Sequence, residues 1–207
     1  MRTIRWYFDF VSPFSYLALQ RLAEVAAEVA PRPVLFAGLL GQWGQKGPAE
    51  IGPKRLWTYR YCQWQADQLD VPLRFPAQHP FNPLHHLRLA IAAGSTLAVV
   101  RRIFEAIWTT GKDAADPTAF ASLCEELGVA AQALATPAVK DALRANTEQA
   151  VARGVFGVPT FEVDRALFWG VDAIDFLKAY LEDPAILHSA EMKRLETLPV
   201  GAVRSAR

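Results

Sequence analysis

Ile4-Arg5-Trp6-Tyr7-Phe8-Asp9-Phe10-Val11-Ser12-Pro13-Phe14-Ser15-Tyr16-Leu17 is the stretch on which the fold turns. Its first half alternates. Ile4, Trp6, Phe8 and Phe10 share one face and Arg5, Tyr7 and Asp9 the other, the period of a strand rich in aromatic side chains. Ser12-Pro13 then reads as a helix start, with serine as N-cap and proline at the first helical position. Ala18, Leu22, Val25 and Val29 continue at helical spacing until Pro31 and Pro33 stop the run. Val34 to Ala37 reads as a second short strand. The chain thus opens β-α-β, a crossover that favours parallel strands.

Downstream, Gly38 to Pro53 reads as a loop rich in Gly and Pro, and most of the chain from Lys54 to about Ala152 reads as helix. The expected helices cover about Lys54–Leu69, Leu84–Ala93, Thr96–Thr109, Pro117–Leu127 and Pro137–Arg153. Gly94, Gly111 and Gly128 stand where helix C-caps belong. Strand chemistry returns at Val155 to Val163, with Ala166 to Trp169 as a hairpin partner. Asp172 is a good N-cap for a final helix that ends at Glu182-Asp183-Pro184, and residues 184–207 suggest one more short helix and a basic tail. The order is β-α-β, a helical insertion, then β-β-α.

The 207 residues carry a net charge of +1, with 52% apolar and 21% charged residues. That balance is ordinary for a soluble globular chain and calls for neither nucleic acid nor an acidic membrane as partner. No apolar run is long enough to span a bilayer and no signal peptide is visible, so the expected location is cytoplasmic. Cys62 and Cys124 form neither a C-x-x-C nor a zinc pattern and read as free thiols. No metal site is expected. His85 and His86 diverge by about 100° on a helix, and His79 and His188 lack ligand-spaced partners. There is no P-loop, Rossmann glycine pattern or Ser-His-Asp motif.

Two constellations bear on chemistry. At Ser12-Pro13-Phe14-Ser15 a strand runs into a helix N-terminus, where unpaired N–H groups and the helix dipole favour negative charge. Ser12 is there either as a plain cap or as a hydrogen-bond donor to a thiolate supplied by a ligand. In Gly157-Val158-Pro159-Thr160-Phe161, Val158-Pro159 is either a cis peptide or a trans proline opening an edge strand.

Phe8-Asp9-Phe10-Val11-Ser12-Pro13-Phe14-Ser15-Tyr16-Leu17-Ala18, taken with Phe156-Gly157-Val158-Pro159-Thr160-Phe161 and Trp169-Gly170-Val171-Asp172, resembles the DsbA-like 2-hydroxychromene-2-carboxylate isomerases and their relatives, the kappa-class glutathione transferases. The resemblance covers about residues 3–182. It implies an α/β, thioredoxin-like domain (1–40 and 153–207) with a large inserted all-helical domain (41–152). It implies glutathione as cofactor, a small aromatic carboxylate as substrate, and a homodimer. Ser12 matches the serine beside the glutathione sulfur. Val158, before Pro159, matches the residue whose backbone holds the cysteinyl part. Trp169, Gly170, Val171 and Asp172 match a Trp-Gly-Asn-Asp segment in which Asp172 takes the γ-glutamyl ammonium; its other open role is the helix N-cap. Val171 departs from the family Asn, and Gly47 stands where a second family Asn is common. Lys54 or Arg55 is either a carboxylate anchor or a solvated helix start. Asn82 is either a residue facing substrate or a turn residue before Pro83. Trp43, Trp57 and Trp64 offer walls for an aromatic pocket, although for any one of them core packing is the default.

Enzymes of the resembling family open a cyclic hemiketal carboxylate and interconvert it with an aryl-substituted unsaturated pyruvate, using a thiolate to make a double bond single. A kappa-like glutathione transferase or peroxidase is the nearest rival reading, and a non-catalytic glutathione-binding module another. Thiol–disulfide exchange is excluded because it needs a cysteine at the helix N-terminus, and positions 12 and 15 are both serine.

Overall fold

The computed structural model describes residues 2–202. Four strands, β1 (Thr3–Phe8), β2 (Glu28–Pro33), β3 (Thr160–Val163) and β4 (Ala166–Trp169), form one sheet in the order β2-β1-β3-β4. β1 pairs parallel to β2 and antiparallel to β3, and β3 and β4 form an antiparallel hairpin. Between β1 and β2 lies α1 (Pro13–Arg21). Six helices separate β2 from β3: α2 (Phe36–Trp43), α3 (Gly52–Gln68), α4 (Leu84–Ala92), α5 (Leu97–Trp108), α6 (Pro117–Glu126) and α7 (Pro137–Ala152). α8 (Ile174–Glu182) and α9 (Ala190–Glu196) close the described chain. Among the described residues no helix is long and apolar enough to cross a membrane.

The alternation in β1 is read out as two buried faces. Ile4, Trp6, Phe8 and Phe10 are fully buried in the main core, against Phe104 of α5. α5 presents Val100, Ile103, Phe104, Ile107 and Trp108 as one buried stripe, the spacing expected of a helix lying on a core. Tyr7 points to the opposite face, in a smaller core with Val34, Leu39, Ala150, Val155 and Val158. Its hydroxyl donates to Glu162 of β3 at 2.6 Å. Glu162 is buried yet also meets Arg5 and Arg153, so one carboxylate joins β1, β3 and the end of α7.

The structure departs from the sequence reading in several places. The second strand is Glu28–Pro33, not Val34–Ala37. β2 is an edge strand, and an edge tolerates prolines because a missing N–H on the open side breaks no ladder. α1 accordingly stops at Arg21, followed by a 3₁₀ turn over Leu22–Glu24. Residues 36–43 are helix, where the sequence suggests the end of a strand and, from Gly38, a loop. The start of α2 is capped from far away: Thr147 Oγ1 accepts from Leu35 N–H and Asp9 Oδ2 from Phe36 N–H. Asp172 is not the N-cap of α8; Ala173 holds that position without a side-chain bond. Trp43, Trp57 and Trp64 are all exposed, and the buried tryptophans are Trp6 and Trp108. After α8 the chain forms a 3₁₀ turn at Pro184–His188 and then α9. The end of the expected basic tail, residues 203–207, lies outside the described residues.

Candidate active site

β1 delivers the chain to the N-terminus of α1 through the turn Asp9–Ser12, in which Ser12 N–H donates to Asp9 C=O. Ser12 is the N-cap: its Oγ accepts from Ser15 N–H at 3.1 Å. Pro13 has no N–H, and Phe14 N–H, in the first turn, has no helical acceptor. The positive end of α1 therefore lies in a cavity wall with one hydroxyl hydrogen and one free N–H available to an anion. Ser15 points the other way. It is fully buried and its Oγ has no partner.

Two cavities meet at this point, sharing Phe14 and Val158. The first, of about 270 Å³, is lined by Ser12, Asp9, Phe36, Pro48, Tyr59 and His79 among others, and most of its wall is apolar. The second, of about 230 Å³, is lined by Trp57, Tyr61, Pro159 and the whole segment Trp169–Asp172. The Val158–Pro159 peptide is cis. Pro159 C=O accepts from Gly170 N–H at 2.9 Å, which ties that turn to the start of the Trp169–Asp172 segment. Gly170 has φ 105°, a conformation that suits glycine, and the Asp172 carboxylate folds back over it.

The fold thus gathers Ser12, Val158, Pro159, Trp169, Gly170, Val171 and Asp172, separated by up to 160 positions in sequence, around two adjoining cavities. Val171 is buried and its C=O accepts from Arg21, so its side chain belongs to the core. Gly47 lines the first cavity together with Glu50, whose Oε1 accepts from Gly47 N–H at 2.5 Å. Lys54 and Arg55 are exposed on α3 and stand outside both walls. Asn82 is brought elsewhere. Its Oδ1 accepts from Leu84 N–H at the start of α4, and it borders a separate cavity beside His86 and Phe120.

The family model for a DSBA-like thioredoxin domain matches residues 3–182. A 2-hydroxychromene-2-carboxylate isomerase of Sphingobium xenophagum is 35% identical over 193 residues, spanning 88% of this chain and 99% of that protein. The chain belongs to the 2-hydroxychromene-2-carboxylate isomerase branch of the DsbA-like thioredoxin family. It is therefore a member of an isomerase family of enzymes. Human glutathione S-transferase kappa 1 is a more distant relative, 25% identical over 181 residues that span 76% of this chain and 79% of that one. The solved structure of a 2-hydroxychromene-2-carboxylate isomerase superimposes with a TM-score of 0.76 at 26% identity, covering 92% of this chain and 98% of that one.

In this DsbA-like chain three wall residues escape a reading by motif. Asp9 is completely buried. Its Oδ1 accepts from Val11 N–H and its Oδ2 from Phe36 N–H, yet burial outweighs those bonds and pushes its pKa up to about 7. Tyr59 and His79 form a bonded pair. Their hydroxyl and Nδ1 are 2.6 Å apart, and His79 Nε2 lies 2.8 Å from Val11 C=O. A carbonyl only accepts, so Nε2 carries the imidazole hydrogen and Nδ1 receives the Tyr59 hydroxyl. His79 lacks any partner at metal-ligand spacing. Its partners are 20 and 68 positions away, and only folding brings them together.

Proposed function

We propose that the chain is a glutathione-dependent isomerase that interconverts a 2-hydroxychromene-2-carboxylate-type compound and a trans-o-hydroxybenzylidenepyruvate-type compound. The observation that carries this reading is Ser12, with no cysteine beside it, at the positive end of α1 in the wall of the first cavity, next to Phe14, where the two cavities meet. A site built around a thiol but lacking its own suits a thiol brought by a ligand.

The donor set fits glutathione. The Ser12 hydroxyl and Phe14 N–H would hold the sulfur as an anion, Val158 would flank the cysteinyl part, and the exposed Asp172 carboxylate would take the ammonium. Bound there, glutathione would supply the nucleophilic thiol that makes the substrate's conjugated double bond single and free to rotate. The 270 Å³ cavity would take the aromatic ring, and its largely apolar wall would strengthen every charge interaction at Ser12. Arg55, exposed on α3 four positions before Tyr59, would meet the substrate carboxylate at the rim of the cavity that Tyr59 lines. The homodimer that the family implies belongs to the same proposal.

The test is calorimetry with glutathione followed by an isomerisation assay with and without it. The expected results are saturable binding and an absolute requirement for glutathione. Ser12→Ala should keep the fold, losing about 1 kcal/mol of helix capping, and lose most turnover. Wild-type turnover without any thiol, or full activity in Ser12→Ala, overturns the reading. A chlorodinitrobenzene conjugation assay on the same protein separates it from the kappa-like transferase reading, which rests on the weaker 25% identity.

A further inference from the structure

We propose that Tyr59 is a catalytic acid–base residue of this site, working with His79 as its proton reservoir, and that the pair serves the ring-opening half of the reaction. The inference rests on the isomerase reading above and adds a step to it. Rotation about a double bond needs a nucleophile, but opening a cyclic hemiketal also needs a proton moved from one oxygen to another. Ser12 and the α1 N-terminus favour an anion and do nothing for that proton. The same cavity holds a phenol and an imidazole in direct contact.

The geometry makes the pair directional. His79 Nε2–H is held by Val11 C=O, in the loop that leads to Ser12. That bond fixes the ring and leaves Nδ1 as a bare acceptor 2.6 Å from the Tyr59 oxygen. His79 C=O, 2.9 Å from the same oxygen, is a second acceptor for the single phenol hydrogen, and the shorter Nδ1 contact makes the imidazole the nearer one. The Tyr59 ring is packed at 4.5 Å against Phe75 and edge-on to His79. Burial lowers the His79 pKa and raises that of Tyr59, so the resting state is neutral imidazole and intact phenol. That is the state from which a proton can be received.

The step balances without any other reagent. The hemiketal O–H gives its proton to the Tyr59 oxygen as the Tyr59 hydrogen moves to His79 Nδ1. The hemiketal carbon becomes a ketone, and the ring carbon–oxygen bond breaks with its electron pair leaving on the aryl oxygen. His79 then returns the proton through Tyr59 to that aryl oxide, leaving a phenol. Val11 C=O faces the imidazolium formed in between, the place an orienting acceptor takes behind a histidine base.

The experiment compares two substrates on wild-type protein and Tyr59→Phe, each with saturating glutathione. One is 2-hydroxychromene-2-carboxylate, which must open its ring. The other is the cis open-chain compound with its phenol methylated, which cannot cyclise and needs only rotation. Tyr59→Phe retains the packed ring and should fold. The expected result is a fall in kcat of roughly 10²-fold or more for the chromene, with the methyl ether isomerised within about twofold of wild type. The solvent deuterium isotope effect on the chromene should also disappear. Equal slowing of both substrates would mean a structural role, and unchanged rates on both would mean none; either overturns the proposal. A wild-type protein inert toward both compounds overturns the isomerase reading itself, and this step with it.

Discussion

At Ser12 one oxygen serves two ends. Its lone pair caps α1 through Ser15 N–H, and its hydrogen is left over for a ligand. Ser15 has the opposite fate, buried and unpaired, so the two serines that look alike in sequence are not alike in the site. Asp9 gives the clearest pH signature. Its carboxyl ionises near 3.9 in an unfolded chain and near 7 in the native one. Between those values the native state holds a proton that the unfolded chain has released, so stability falls as pH rises through about 4 to 7 and levels off above. Asp9→Asn imitates the protonated form and should lose that slope. In urea unfolding, the variant should gain on wild type between pH 5 and pH 8; an equal difference at both would contradict the assignment. Ser12 was legible because a cap and a proline announce a helix N-terminus. Asp9 was not, because nothing local to Phe8-Asp9-Phe10 shows that its partner is Phe36 N–H, 27 positions on.

Elements that carry their own signal form where their sequence places them. α5 shows a five-residue buried stripe, and α6 and α7 begin at Asp116-Pro117 and Thr136-Pro137, where the side chains do cap the first turns. β2 lies away from the segment with the strand signal, and α2 lacks a helix signal of its own, for one reason. The residues that stabilise them belong to other elements: β1 for the edge strand, Asp9 and Thr147 for the helix start. The turn before β3 yields a prediction. A Cβ at Gly157 would lie 2.6 Å from the Trp169 indole nitrogen, and Trp169 is more than half exposed, so the indole rather than the backbone should yield. Gly157→Ala should therefore shift one wall of the 230 Å³ cavity and weaken glutathione binding by about tenfold, or 1.4 kcal/mol, with little change in melting temperature. Calorimetry and thermal unfolding on one sample decide this.

Across the whole molecule, the buried Glu162 carboxylate connects β1, β3 and the end of α7. Arg5 and Arg153 keep partial access to water, so losing the carboxylate charge leaves neither stranded. Glu162→Gln should cost about 1–3 kcal/mol in urea unfolding, without altering isomerase kinetics, because Glu162 lines neither cavity. Cys62 and Cys124 are both buried, and burial pushes the Cys62 thiol up to about 12, so neither replaces a thiol at position 12. By itself the sequence determined the strand–cap–helix opening, the absence of a dithiol at 12 and 15, and the family to which both ends of the chain point. These are local facts, set by side-chain period, capping chemistry and residue identity. Only the tertiary structure decided that Trp169–Asp172 lines a cavity adjoining that of Ser12, that Asn82 borders neither, and that Asp9, Tyr59 and His79 line the Ser12 cavity. Such placements depend on contacts between distant segments, and the sheet and the packed helices alone bring those segments together.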